Sequence, residues 1–384
     1  MLLDFSIYTP LYVSFMWALI LFSTCKANRA RFFLGIFMFA VGMIFLSHVI
    51  YYHHLNEIYL YFDLIFVFGS LSIFPIYHWY MKVLTFRSKI DFRDMKLLLP
   101  AFAMLAATLV VYLFMTKESR DLYVNDYLYG NGNWESASML IKILLVLRYM
   151  LQIIYLVQIV FSFLKIRVFI ADYNDNIANF YSNLEDKTLQ WPKLILYSFV
   201  VTSIFTIITS FLGRSFFDKW PLILLFTCIA YSVFLFVLGY LGYMQNHSIV
   251  TLEQDSKIET KISCENPNDK KTKTQLLTLF EKEQVFKQKD LKISDIALKL
   301  HTNRTYISTL INQEYNCSFS TFVNRYRVAE AKDVLRNENS NNLSIEHVST
   351  LAGFGSIDSF IRAFKEKEGT TPGNFRKSIQ HIET

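Results

Sequence analysis

Arg148, Gln152 and Tyr155 recur at i, i+4 and i+7, which puts a guanidinium, an amide and a phenol on one face of a helix. They sit in an otherwise apolar run, where an ionisable group is costly and by default functional. His48, Asp63 and Lys142 lie in apolar runs of the same kind. Brought together, His48, Asp63, Lys142, Arg148, Gln152 and Tyr155 would line a pocket for a small polar or anionic ligand. A second reading stands beside this one. Asp63 pairs with Arg148 or Lys142 as a structural ion pair, and Lys142 reaches outward to the interface. Neither reading is catalytic. The chain has no H-E-x-x-H, no G-x-S-x-G, no P-loop and no paired intramembrane Asp. Cys25, Cys228, Cys264 and Cys317 are scattered, without metal-ligand or disulfide-framework spacing. The expectation is a non-enzyme with no catalytic residue, no metal and no cofactor.

The elements that would position these groups are membrane spans. Of 384 residues, 53% are hydrophobic and 18% charged, against about 25% charged in an ordinary soluble protein. That balance excludes a disordered, collagen-like or wholly soluble chain. A spanning helix needs about 20 apolar residues. Seven runs qualify: Phe5–Cys25, Phe32–Tyr52, Ile58–Met81, Leu97–Thr116, Ser138–Leu164, Leu194–Gly213 and Trp220–Met244. The loops after the first, third and fifth carry twelve Lys/Arg, and those after the second, fourth and sixth carry four. The excess of Lys/Arg marks the cytoplasmic side, so the N-terminus is expected outside and residue 248 onward in the cytoplasm. The start, Met-Leu-Leu-Asp, lacks a basic n-region, so the first run reads as a retained span and not a signal peptide. In this topology His48, Asp63, Lys142 and Arg148 fall in the outer halves of their helices.

Two loops of this half carry further patterns. Residues 117–137 hold Tyr123, Tyr127, Tyr129, Gly130–Asn133 and Trp134 and read as a turn-rich outer loop, either a plain connector or a ligand lid. In the inner loop 165–193, Ile177, Phe180, Tyr181 and Leu184 have helical spacing. They predict an amphipathic helix at the inner surface, either passive or coupling the membrane half to the tail. Residues 245–273 are polar and aperiodic, and as a flexible chain would span roughly 30 Å.

Beyond the linker the pattern changes. Residues 248–384 hold 38 of the 70 charged side chains. From Thr274 one amphipathic helix follows another, with no convincing strand. An apolar face at Leu276, Leu279, Phe280 and Phe286 predicts a helix over Gln275–Gln288. Ser294, a good N-cap, opens a short helix to Leu300. His301-Thr302-Asn303 is a polar turn, and Arg304–Tyr315 is a second helix. Short helix, small turn and second helix are the grammar of a helix-turn-helix. The grammar recurs after a long helix, Ser320–Asn337: Ser344–Leu351, then Ala352-Gly353-Phe354-Gly355, then Ser356–Glu368, with Pro372 ending the last helix.

Several separate blocks make the match specific. They are Ile296-Ala297 with Thr305–Ser308, Phe322–Arg327 with Ala329–Lys332, Gly353-Phe354 with Phe360, Arg362 and Phe364-Lys365, and Thr371-Pro372 before Phe375-Arg376. Across about 105 residues the tail resembles the AraC-type DNA-binding domain, two helix-turn-helix units joined by a long helix. One departure is Ser349, where that family more often has a small residue.

The resemblance implies that each second helix enters the major groove and presents its N-terminal side chains to base edges. In the first unit these are Asn303, Arg304, Thr305 and Ser308. In the second they are Ser356, Ile357, Ser359 and Arg362. Arg can take guanine bidentately, Asn can take adenine, and Ile357 can touch a thymine methyl. Asp358 would repel phosphate and is expected to cap its helix. Lys299, Arg325, Lys365, Lys367, Arg376 and Lys377 are candidate phosphate contacts, which set register and carry no sequence information. Phe322, Tyr326, Leu335, Phe354, Phe360 and Phe364 are expected in the core. The net charge of the tail is only +2, so motif order and spacing carry the DNA-binding expectation, and charge does not.

The whole chain is therefore expected to be all-α. A seven-helix transmembrane bundle over 1–247 leads through a linker, 248–273, to a cytoplasmic double helix-turn-helix domain, 274–384. The function expected is that of a one-component regulator in the cytoplasmic membrane. Its partners would be double-stranded DNA, the lipid bilayer, a small-molecule or membrane-borne signal, and a second copy of itself as a homodimer. The alternatives are a membrane transporter or enzyme with an accessory regulatory tail, or a plain DNA tether.

Overall fold

The computed structural model describes residues 2–26, 28–86, 90–128, 132–184, 203–204, 208, 216–217, 220–244, 269–337 and 343–380. All the elements named among them are helical, with one isolated antiparallel bridge between Tyr181 and Lys292. The chain divides into two compact units. The first holds residues 1–170 and 190–248, and the second holds 171–189 and 249–384. Residues 171–189, which the sequence pattern places in an inner loop of the membrane half, thus group with the tail.

In the first unit, α1 (Leu2–Thr24), α2 (Arg29–Tyr52), α3 (Asn56–Phe86) and α4 (Leu99–Phe114) are followed by α5 (Met139–Phe180) and α6 (Pro221–Met244). A short turn of helix, Phe92–Met95, leads into α4. Six helices are long and apolar enough to cross a membrane among the described residues. The expected sixth span, Leu194–Gly213, lies almost wholly outside the described residues, as does most of the linker. Small residues let α6 pack against α1 and α2: a Cβ on Gly239 would fall 2.4 Å from Trp17, and one on Gly242 would fall 2.1 Å from Leu34. In an apolar medium, where water drives nothing together, such close approach is what holds helices.

Two loop expectations are corrected here. The outer segment is mostly helical: a helix over Lys117–Leu122 capped by Thr116, then one π-helical turn over Tyr123–Tyr127. Of its described aromatics Tyr123 is buried, Tyr127 half-buried and Trp134 exposed. Among the described residues of the expected inner loop, 165–184, there is no separate helix. Instead α5 continues unbroken to Phe180, far past the expected end at Leu164.

The second unit comprises α7 (Asp269–Glu281), α8 (Ile293–Lys299), α9 (Arg304–Tyr315), α10 (Phe319–Arg336), α11 (Ile345–Leu351), α12 (Ile357–Glu368) and α13 (Pro372–Gln380). The expected Gln275–Gln288 helix stops early. Gln284 is left-handed, and Phe286 is buried from a 3-10 turn over Val285–Lys287. Ser294 does not cap α8. The helix begins at Ile293, and Asp295 accepts the Lys292 amide at 2.8 Å while Ser294 is buried. Likewise Pro372 opens α13 instead of ending α12, which Gly369 terminates at φ 73°. A missing amide at the first helical position costs nothing, which is why proline suits that place.

The two helix-turn-helix turns are built alike. The Thr302 amide donates to Ala297 O at 2.9 Å and the Phe354 amide to Ser349 O at 3.0 Å. His301 and Gly353 take the left-handed residue at equivalent places, φ 51° and 84°. Ser349 thus corresponds to Ala297, and its hydroxyl has a use: it donates to Ser356 O at 3.3 Å, tying α11 to the start of α12. A Cβ on Gly353 would lie 2.6 Å from Lys287 Cα and 2.7 Å from its carbonyl oxygen, whereas one on Gly369 would meet nothing within 4 Å. Both positions penalise a side chain by left-handed strain, and only Gly353 adds a backbone clash. Gly353→Ala is expected to cost about 2–3 kcal/mol and Gly369→Ala about 1 kcal/mol. Chemical denaturation of the full chain, followed in this unit, checks the ratio.

Candidate nucleic-acid interface

The interface rests on how α9 and α12 begin. Asn303 ends the first turn in an extended conformation, and its side-chain oxygen accepts the Tyr306 amide at 2.8 Å. Ser356 does the same for α12, accepting the Ser359 amide at 3.2 Å. Such caps satisfy amides that a helix start leaves without partners. They set where each recognition helix starts, and with it which side chains its first turn displays. Asp358 is not the cap of α12. It is exposed in the first turn, where a carboxylate still complements the helix dipole.

Under each helix lies a core that holds it. Ile307, Leu310 and Ile311 bury one face of α9, and Phe360 and Phe364 bury one face of α12. Val328, Ala331 and Leu335 of α10 pack with Val348, Ala352, Phe354, Phe360 and Phe364 in one cluster. Phe322 joins Phe280, Tyr315 and Tyr326 at ring-centroid distances of 4.8–5.3 Å. Of the expected core residues only Tyr326 is partly exposed.

The faces left outside carry the expected contacts. Asn303, Thr305, Ile357 and Arg362 are exposed, while Arg304, Ser308, Ser356 and Ser359 are half-buried. Lys365 and Lys377 are exposed and Arg376 half-buried. Three of the candidate phosphate contacts have protein partners. Lys299 pairs with Glu283 at 2.8 Å, Arg325 donates to Tyr315 O at 3.4 Å, and Lys367 donates to Arg325 O at 2.9 Å. Partial burial, the largest influence, lowers the pKa of Lys367.

Residues 296–378 match the helix-turn-helix domain family. The C-terminal unit carries an AraC-type helix-turn-helix domain. Over 90 residues the chain is 33% identical to the HTH-type transcriptional regulator YtdP of Bacillus subtilis (strain 168), covering 23% of this chain and 11% of that protein. Over 91 residues it is 33% identical to the Msm operon regulatory protein of Streptococcus mutans serotype c, covering 24% of this chain and 32% of that protein. The C-terminal domain of AraT, a response regulator from Geobacillus stearothermophilus, aligns with 31% of this chain and 88% of its own at 24% identity, with a TM-score of 0.25. The chain thus spans between about a tenth and a third of the two curated relatives.

Within the AraC-type domain, sequence reasoning missed Arg327. It is 1% exposed. Its Nε donates to Phe286 O at 2.7 Å, and its Nη2 donates to Gln288 O at 2.7 Å and to Ser182 Oγ at 3.2 Å. Burial pulls its pKa down to about 10, so it stays cationic at neutral pH. A lone Arg in an amphipathic helix reads as a surface charge. Only the carbonyls that converge on it from a distant turn reveal its place.

The first unit contains a cavity of about 390 Å³. His48, Arg148, Gln152 and Tyr155 line it, with Phe37, Phe45, Phe66, Tyr123, Tyr127 and Tyr231 among its aromatic walls. Asp63 and Lys142 are not in the lining. Asp63 is 1% exposed and accepts hydrogen bonds from Tyr59 at 2.9 Å and Tyr112 at 2.7 Å. It also forms an ion pair with Arg148. Lys142 lies over the Trp134 ring at 5.9 Å. Of the ion pair, Arg148 reaches the cavity, while Asp63 lies outside its lining. No group of three or more potential metal ligands occurs among the described residues.

Proposed function

We propose that the chain is a membrane-tethered, one-component transcriptional regulator and not an enzyme. Its AraC-type domain binds specific double-stranded DNA from the cytoplasmic side, and its helical first unit senses a signal. The observation that carries this reading is the pair of capped recognition helices, each showing polar or basic side chains beside its cap. The names of the relatives, which are transcriptional regulators, support it. Six apolar helices of spanning length and the uneven distribution of Lys/Arg support the tether, with the N-terminus outside.

The cavity supports sensing. Aromatic walls together with Arg148, His48 and Gln152 suit a small, mainly apolar molecule bearing a polar or acidic group. A homodimer held by the first unit would raise the local concentration of the second helix-turn-helix pair on paired half-sites.

The test uses the full chain in nanodiscs, with selection of bound fragments from the source genome. A shared motif is expected, with affinity that falls as salt rises. Arg362→Ala is expected to weaken binding to that motif about 10- to 100-fold and to relax preference at one base position. Sequence-blind binding, equal in wild type and variant, would overturn the regulator reading.

A further inference from the structure

In the second unit, the end of α5 lies against the DNA-reading elements. Tyr173, Ile177, Phe180, Tyr181 and Ser182 are each no more than 5% exposed. Past Phe180 the helix ends, and Tyr181 forms its antiparallel bridge with Lys292. The Ser182 amide donates to Leu291 O at 3.1 Å, and the Ser182 carbonyl accepts the Ser320 hydroxyl at 3.2 Å. The place of contact is specific. The Phe180 ring sits 5.2 Å below the Arg304 guanidinium carbon. Arg304 is the first residue of the first recognition helix. Asn183 reaches the turn before the second: a Cβ on Gly355 would fall 2.1 Å from its Nδ2.

We propose that Ile177–Asn183 is an intramolecular clamp on the AraC-type domain, in which Phe180 holds Arg304 away from DNA until the clamp releases. The inference rests on the DNA-binding reading above. An Arg guanidinium over an aromatic face is held by the ring quadrupole. A guanidinium stacked on a ring keeps its N–H edge free, so the clamp acts by fixing where that edge points: Arg304 is held half-buried over Phe180 at the start of α9. Release frees Arg304 to take the position that a base edge sets. Among the described residues the clamp is held by the burial of Ile177, Phe180 and Tyr181, one isolated bridge and a few hydrogen bonds, with no strand ladder to be broken on release. It is also covalently continuous with the helix that carries Arg148, Gln152 and Tyr155. A change at those residues has a direct chain connection to the clamp.

The test is DNA affinity of the full chain in nanodiscs, measured on fragments enriched by selection, for Phe180→Leu and Phe180→Trp. Leucine keeps apolar bulk without a π face, and tryptophan offers the strongest π face. Phe180→Leu is expected to bind about 3- to 5-fold more tightly than wild type, and Phe180→Trp more weakly. Both differences are expected to vanish in an Arg304→Ala background, which a purely structural role for Phe180 would not produce. Thermal melting shows that each variant is folded. If wild type binds a motif, loses it with Arg362→Ala, and Phe180→Leu binds no more tightly, the clamp is overturned and the DNA reading stands. If no variant shows sequence preference, the DNA reading fails and the clamp falls with it.

Discussion

Arg327→Met is expected to destabilise the second unit by about 3–5 kcal/mol, because it leaves buried acceptors without a donor. The guanidinium is the donor for the carbonyls of Phe286 and Gln288, which belong to the turn between α7 and α8, and for the hydroxyl of Ser182. Methionine fills the volume and supplies no N–H. A domain of this size has only about 5–15 kcal/mol to lose, so the loss is a large share of the total. Arg327→Lys is expected to rescue little, since one ammonium cannot reproduce the planar fork. Urea unfolding of the full chain, followed by proteolytic susceptibility within 269–337, measures the loss. A change below about 1 kcal/mol would contradict the assigned role, being the size of an ordinary surface substitution. The same variant would weaken DNA binding by unfolding, so stability must be measured first.

Asp63→Asn is expected to cost the first unit about 3–5 kcal/mol, because it strips a buried cation of its counterion. Asp63 is the acceptor on which Tyr59, Tyr112 and Arg148 converge. Arg148 Nη2 also lies 3.4 Å from the Tyr123 hydroxyl, so the pair links α3, α4 and α5 to the π-helical turn over Tyr123–Tyr127. The pair itself is weak support for stability, since two charges had to leave water to form it. Breaking it by one partner is what is expensive. Removing both charges in Asp63→Asn/Arg148→Gln is therefore expected to recover part of the loss, with a coupling energy of about 0.5–3 kcal/mol. Thermal unfolding in detergent gives this cycle. Additive losses would show that the two side chains act separately.

Much of the second unit was legible in the sequence. The bounds of α9 came out as read, and those of α10, α11 and α12 agree to within a residue, because helical periodicity and the turns that interrupt it are local. The caps themselves, Asn303, Ser318, Ser344 and Ser356, were not singled out as such, and the two residues read as caps, Ser294 and Asp358, are not caps. The turn chemistry at Gly353 was equally local, though α12 is ended by Gly369 and not, as expected, by Pro372, which opens α13. A helix stop and a helix start three residues apart look alike in one dimension. The six long apolar helices were legible too, since length and hydropathy are properties of a segment by itself. The order of motifs that marks an AraC-type domain is also written along the chain.

What needed the tertiary structure were the meetings between distant segments. No local signal separates Asp63, 85 positions from Arg148 and paired with it, from Lys142, which turns to Trp134 instead. Arg327 reads as solvated until carbonyls about 40 positions away are seen to surround it. Ile177, Phe180 and Tyr181 have the spacing of a helix lying on a bilayer. An apolar face specifies that it must be covered and leaves open by what. Only the fold shows that the cover is the AraC-type domain itself, and that Phe180 thereby comes to rest under Arg304.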